Sequence, residues 1–126
     1  MTSALILIVE DDEKNMKLMR HLLQFKGYRT PEAMTARDGI AAAKAHHPDL
    51  ILMDIQLPDM NGMDALRELR ADPATAGIKA MAVSASVMAE DPSRILTAGS
   101  DGFQGKPIRI AESSEAVQKM LAGRSA

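Results

Sequence analysis

The chain has 126 residues, with 15 basic and 17 acidic side chains for a formal net charge of −2, and it contains no cysteine. That length suits one domain, which can bury roughly two-thirds of its unfolded surface. The charge balance gives no basic stripe for nucleic acid, the missing cysteines exclude disulfides and thiolate metal sites, and no apolar run reaches the roughly 20 residues of a membrane span. Met1-Thr2-Ser3-Ala4 lacks the basic region of a signal peptide, so a soluble cytoplasmic protein is the default expectation.

Ala4 to Val9 is an unbroken aliphatic run, which suits a strand buried on both faces of a parallel sheet. Asn15 to Lys26 follows as a helix, with Leu18, Leu22 and Phe25 at helical spacing and Met19 and Leu23 beside them. Asp12 is its N-cap and Gly27 its stop. Tyr28 to Met34 is a weaker strand; Pro31 cannot donate to a ladder, which assigns it to the sheet edge. Thr35 to His46 is an alanine-rich helix closed by His47-Pro48. Leu50 to Met53 is a second buried strand, and Met63, Leu66 and Leu69 make a helix of Gly62 to Arg70. Lys79 to Val83 reads as a strand, Val87 to Ala98 as a helix despite Pro92, and Gly102 to Gly105 as a short strand. Ile110 to Leu121 closes the series, with Ile110, Val117 and Leu121 on one helical face. Five strand–helix units in alternation predict a parallel sheet with helices on both faces. Aromatic residues number three, Phe25, Tyr28 and Phe103, against ten methionines, most of which are expected to fill core gaps.

The chemistry gathers where strands end. Glu10, Asp11 and Asp12 follow the first buried strand and Asp54 follows the third. In an open α/β sheet the ligand site lies beyond the carboxyl ends of the strands, where strand order reverses. If strands one and three are neighbours, these acids converge and repel, and a hard cation such as Mg²⁺ offsets them. Asp12 is better read as a helix cap. Ser84 ends strand four and offers a hydroxyl; Lys106 ends strand five and offers a point charge for an anion. Each alone reads as a surface residue. Together, acid, acid, hydroxyl and ammonium describe a phosphoryl-transfer site. His21, His46 and His47 fall on helices away from strand ends and read as solvated surface.

Five motifs in order carry a family resemblance: Ile8-Val9-Glu10-Asp11-Asp12, Asp49 to Pro58, Asn61-Gly62-Met63-Asp64, Ala82-Val83-Ser84-Ala85 and Gly105-Lys106-Pro107-Ile108. Over nearly its whole length the chain resembles the receiver domain of two-component response regulators, especially the small DivK-like regulators that lack an output domain. The resemblance implies a flavodoxin-like (βα)5 fold with strand order 2-1-3-4-5. It makes Asp54 the phosphoacceptor for a phosphohistidine on a sensor histidine kinase or histidine phosphotransfer protein. It makes Asp11 a direct Mg²⁺ ligand, Glu10 a helper through water, and the Gln56 backbone carbonyl the remaining protein ligand. Lys106, preceding a cis peptide to Pro107, binds the phosphoryl group; Ser84 moves to bond it, and Phe103 is the aromatic switch. Asn15, Met16 and Met19, with Pro107 and Ile108, are candidates for an apolar partner-docking patch. The resemblance extends to a single receiver over residues 1–126, a monomer or weak dimer, with no nucleic-acid or membrane partner.

Two departures from the family pattern stand out. Serine occupies position 84, where threonine is commoner, so the hydroxyl is kept without the stiffening methyl. Gly99, Gly102 and Gly105 crowd the fifth strand, which predicts a more mobile output face. Three competing readings differ by what the site lacks. A Mg²⁺-dependent phosphatase requires an acid two residues after Asp54, where Gln56 stands, and a cap domain. A phosphorylation-independent adaptor requires no intact site. A phosphate sink or shuttle in a relay shares the whole site with a regulator.

Overall fold

The structure is a computed structural model that describes residues 4–55 and 57–84, with Ser84 as backbone only, and the backbone of 102–105. The helices expected at Val87 to Ala98 and Ile110 to Leu121 lie outside the described residues. Within them the chain runs β1 (Ile6–Val9), α1 (Glu13–Phe25), β2 (Glu32–Ala33), α2 (Ala36–His46), β3 (Leu50–Asp54), α3 (Gly62–Ala71), β4 (Lys79–Ser84) and β5 (Gly102–Gly105).

Every strand pairing among the described residues is parallel. β1 and β3 are neighbours, with Ile6 opposite Leu50 and Val9 opposite Met53. β2 flanks β1 at the edge, and β4 lies on the far side of β3 with Asp54 opposite Val83. Backbone pairing continues from β4 to β5, where Ser84 stands opposite Gly105. The register between β1 and β3 is pinned at its amino end by Asp49. Its Oδ2 accepts from the Leu5 N–H at 2.8 Å, and its own N–H donates to the Leu5 carbonyl at 2.7 Å.

Alternation along the strands builds two cores. Ile6, Ile8, Leu50, Leu52, Met81 and Val83 face α1, where they meet Met16, Met19, Leu22 and Leu23. Leu7, Val9, Ile51, Met53, Ala80 and Ala82 face α2 and α3, where they meet Ile40, Ala43, Met63, Leu66 and Leu69. All residues of β1 and β3 are buried, as expected of strands covered on both sides. The parallel sheet with helices on both faces agrees with the sequence reading.

The helix ends follow local chemistry. Asp12 caps α1 by accepting from the Lys14 N–H at 2.9 Å, and Gly27 turns the chain away at φ +89°, where L side chains are disfavoured. Thr35 caps α2 and Asn61 caps α3. His47 takes the left-handed position after α2 at φ 47°. The three histidines are exposed, as read from the sequence.

Two expectations about α1 need correction. Phe25 is not on the packed face; it is 86% exposed. The packed line passes through Met16, Met19 and Leu23, and a residue nine places after Met16 points about half a turn away from it. Met16 and Met19 are accordingly core residues, 4% and 3% exposed, and not part of a docking patch. Unbranched methionines fill the gap between α1 and the sheet that the shortage of aromatics leaves.

Candidate phosphoryl-acceptor and metal site

The β1–β3 register decides the site. One residue beyond the Val9–Met53 pair, the two strands reach Glu10 and Asp54 side by side at the carboxyl edge of the sheet. Asp11 follows Glu10 directly. One carboxylate oxygen from each of Glu10, Asp11 and Asp54 lies within 4.8 Å of the other two. Glu10 is fully buried, Asp54 is 2% exposed, and Asp11 is exposed.

Two buried carboxylates beside a third are costly unless a cation or a proton offsets them. All the donors are hard oxygens, and the exposed Asp11 leaves one side of the cluster to water. That combination fits a divalent cation that retains several waters, as Mg²⁺ does. Asp12 takes a different part. Its side chain caps α1, and its N–H donates to Glu10 Oε2 at 3.2 Å, which steadies the Glu10 carboxylate.

The backbone of Asp54 is held from two sides. Next to it, the Ile55 N–H donates to the Val83 carbonyl at 2.9 Å, so β3 and β4 stay paired past the acid. The Gly62 N–H donates to the Ile55 carbonyl at 2.7 Å, which brings the start of α3 against the end of β3. The approach is so close that a Cβ on Gly62 would lie 2.2 Å from the Asp54 carbonyl oxygen and 2.7 Å from the Ile55 Cα. Only glycine fits there. The sequence reading included Gly62 in a motif but gave it no role; its signal was its place right after a helix-capping asparagine.

The sequence reading also missed Asp59, between Asp54 and α3. Its Oδ1 accepts from the Ala36 N–H at 2.8 Å and its Oδ2 from the Arg37 N–H at 3.0 Å, both at the start of α2. These bonds, with the Arg37 charge nearby, hold the Asp59 carboxyl below the usual carboxylate range. Nothing local marks the residue, because its partners lie 22 and 23 positions earlier.

Of the remaining site residues, Ser84 and Gly105 are placed by backbone alone. Their pairing sets the ends of β4 and β5 on the carboxyl edge that carries Asp54. Gln56, Lys106, Pro107 and Ile108 lie outside the described residues, as does Gly99; of Phe103 only the backbone is described. Asn15 is half-buried on α1.

Comparison with known proteins agrees with this geometry. The family model for the response regulator receiver domain matches residues 6–118. The polar-differentiation response regulator DivK of Brucella ovis is 39% identical over 116 residues, covering 92% of this chain and 94% of that protein. DivK of Brucella anthropi is 38% identical over the same length and coverage. Among solved structures, a CheY-like receiver domain protein of Methanospirillum hungatei superposes with a TM-score of 0.90 at 30% identity, covering 98% of each chain. The receiver domain of sensor histidine kinase PA1611 of Pseudomonas aeruginosa, solved with a magnesium ion coordinated in its active-site cleft, gives 0.89 at 29% identity, covering 96% of this chain and 99% of that one. Among the described residues no helix is long and apolar enough to cross a membrane. With its buried aspartate at the end of β3, its acid cluster and its doubly covered parallel sheet, this chain belongs to the response regulator receiver domain family.

Proposed function

We propose that the protein is the phosphoacceptor of a two-component or phosphorelay pathway and that Asp54 receives the phosphoryl group. The observation that carries this reading is the meeting of Glu10, Asp11 and a nearly buried Asp54 within 4.8 Å at the carboxyl edge of the sheet. Glu10, Asp11, Asp54 and the Gln56 backbone carbonyl would hold Mg²⁺, which when bound neutralises charge on the acids and the phosphoryl oxygens.

An Asp54 carboxylate oxygen attacks the phosphorus of a phosphohistidine on a sensor histidine kinase or histidine phosphotransfer protein. The O–P bond forms as the P–N bond breaks, and the imidazole leaves with the electron pair. Lys106 and the Ser84 hydroxyl bind the phosphoryl oxygens, and water later attacks the acyl phosphate to restore Asp54. The product carries more negative charge than the carboxylate and adds strong acceptor oxygens. Ser84 and Lys106 then make contacts to the phosphoryl oxygens that exist in one state only, which is what a two-state switch requires. Movement of Ser84 frees space for Phe103, and the surface over β4 and β5 changes shape.

The complete fold on this reading is (βα)5 with order 2-1-3-4-5. Match to DivK proteins over 94% of their length supports a regulator whose working unit is the receiver itself. It works in the cytoplasm as a monomer or weak dimer, and its only chemistry is on its own aspartate. Asn15, Pro107 and Ile108 remain the docking candidates around the acids.

Acetyl phosphate treatment with and without Mg²⁺, read by intact mass, tests the proposal. The wild type gains one phosphoryl group only with Mg²⁺, and Asp54→Asn gains none. A wild type that stays unmodified with both acetyl phosphate and a panel of phosphorylated histidine kinases sinks the reading in favour of an adaptor.

A further inference from the structure

The segment from Ile55 to Gly62 is closed into a ring by the Gly62 N–H bond to the Ile55 carbonyl. Asp59, near the middle of that ring, reaches out of it to the start of α2. The first turn of any helix leaves backbone N–H groups that the helix itself does not satisfy. In α2 the Asp38 N–H is taken locally by Thr35 Oγ1 at 3.1 Å, but the Ala36 and Arg37 N–H groups are both taken by Asp59. Two charge-assisted bonds along the helix dipole make this a firm tie.

The far end of the tie is anchored to the acid cluster. Gly39, in the first turn of α2, sits against β1 so tightly that a Cβ there would lie 2.7 Å from Val9 Cγ2. Val9 immediately precedes Glu10. The Glu10 N–H in turn donates to the Ala33 carbonyl at 3.0 Å, on the strand that leads into α2. A path of packed backbone thus runs from Glu10 through Val9 and α2 to Asp59, and returns through the ring to Asp54.

Resting on the receiver reading, we infer that Asp59 is a positioning residue for the metal and phosphoryl site: through the ring closed at Ile55 and Gly62, its bridge to α2 sets where the Asp54 end of β3 lies relative to Glu10 and Asp11. Asp59 touches neither metal nor phosphoryl group. Loss of a residue that orients metal ligands costs about tenfold or more in metal affinity. A residue that only caps α2 costs stability and leaves metal affinity alone.

The control is therefore Thr35→Ala, which removes a cap from the same helix end without touching the ring. Mg²⁺ binding is measured by calorimetric titration for wild type, Asp59→Ala and Thr35→Ala, with amide exchange at Ile55 and Gly62 followed in the metal-free proteins. Asp59→Ala is expected to bind Mg²⁺ about tenfold more weakly and to exchange faster at Gly62. Thr35→Ala is expected to melt at lower temperature with wild-type affinity. If Asp59→Ala does not fold, Asp59→Asn, which keeps one acceptor, is expected to move in the same direction by less. Wild-type affinity in the Asp59 variant, or an equal loss in Thr35→Ala, overturns the inference and leaves the receiver reading standing. A wild type that binds no Mg²⁺ brings down both.

Discussion

The two faces of the sheet are built differently. Among the described residues, those buried on the α1 side are Ile6, Ile8, Met16, Met19, Leu22, Leu23, Leu50, Leu52, Met81 and Val83, with no alanine among them. On the α2–α3 side six alanines of the described residues are buried, Ala33, Ala36, Ala43, Ala65, Ala80 and Ala82, and Gly39 and Gly62 touch strand side chains or backbone directly. Large side chains hold α1 at a distance and can shift rotamer to absorb a change. Small residues bring α2 and α3 closer to the strands, and at Gly62 the contact is with the Asp54 and Ile55 backbone, which cannot shift rotamer to yield. The close-packed face is also the one that holds the Asp54 backbone and the Asp59 bridge. Stability is expected to be shared by both faces, and site geometry to depend on one.

The strongest way to break that contrast is on the α1 face. Leu23 is 1% exposed, and Leu23→Ala should cost about 2–5 kcal/mol in denaturant unfolding. In the fraction that remains folded at low temperature, Mg²⁺-dependent phosphorylation of Asp54 should proceed at the wild-type rate. A slowed reaction there would mean that both faces set the site.

A smaller substitution on the other face should do the reverse. Gly62→Ala forces a methyl onto the Asp54 carbonyl and should cost about 1–3 kcal/mol, the usual range for overpacking. Its phosphorylation rate and Mg²⁺ affinity should fall although its stability loss is the lesser of the two. Wild-type chemistry in folded Gly62→Ala would detach close packing from site geometry.

The mildest effect is on acid stability, and it sharpens the comparison. Asp59 ties the ring to α2, and Asp72, just after α3, pairs with Lys44 of α2 at 3.2 Å and accepts from the Ala74 N–H at 2.9 Å. Backbone hydrogen bonds first, and the neighbouring basic charges after them, hold both carboxyls below their usual range. A carboxyl lowered in the folded state adds stability that is complete above its unfolded value of about 4 and is lost as pH falls through the folded value. Thermal melts from about pH 5 down to pH 3 should therefore show a falling melting temperature, with a shallower fall in the double variant Asp59→Asn, Asp72→Asn. Equal slopes would place the acid-sensitive contacts elsewhere.

Much of this was legible in the residues because the responsible forces are local. The aliphatic runs at Ile6 to Val9 and Leu50 to Met53 mark strands buried on both faces, and Asp12, Thr35 and Asn61 cap helices through their nearest N–H groups. The acids of the site were visible because they cluster at the carboxyl ends of β1 and β3. What the helix period left open was rotation. Leu18, Leu22 and Phe25 repeat as well as Met16, Met19 and Leu23 do, and only the sheet beneath decides that Leu22 joins the second line in the core, Leu18 packs at its margin and Phe25 is left exposed.

Local chemistry along the chain determined the strands, the described helix caps and which carboxylates end up at strand termini. The tertiary structure alone decided that β1 and β3 lie side by side with Val9 opposite Met53, and thereby that Glu10 and Asp11 meet Asp54. It also decided that Gly62 must be glycine and that Asp59 belongs to α2. The physical reason is the same in each case. Those relations join segments far apart in sequence, and their energies arise from packing and hydrogen bonds that no local window of residues contains.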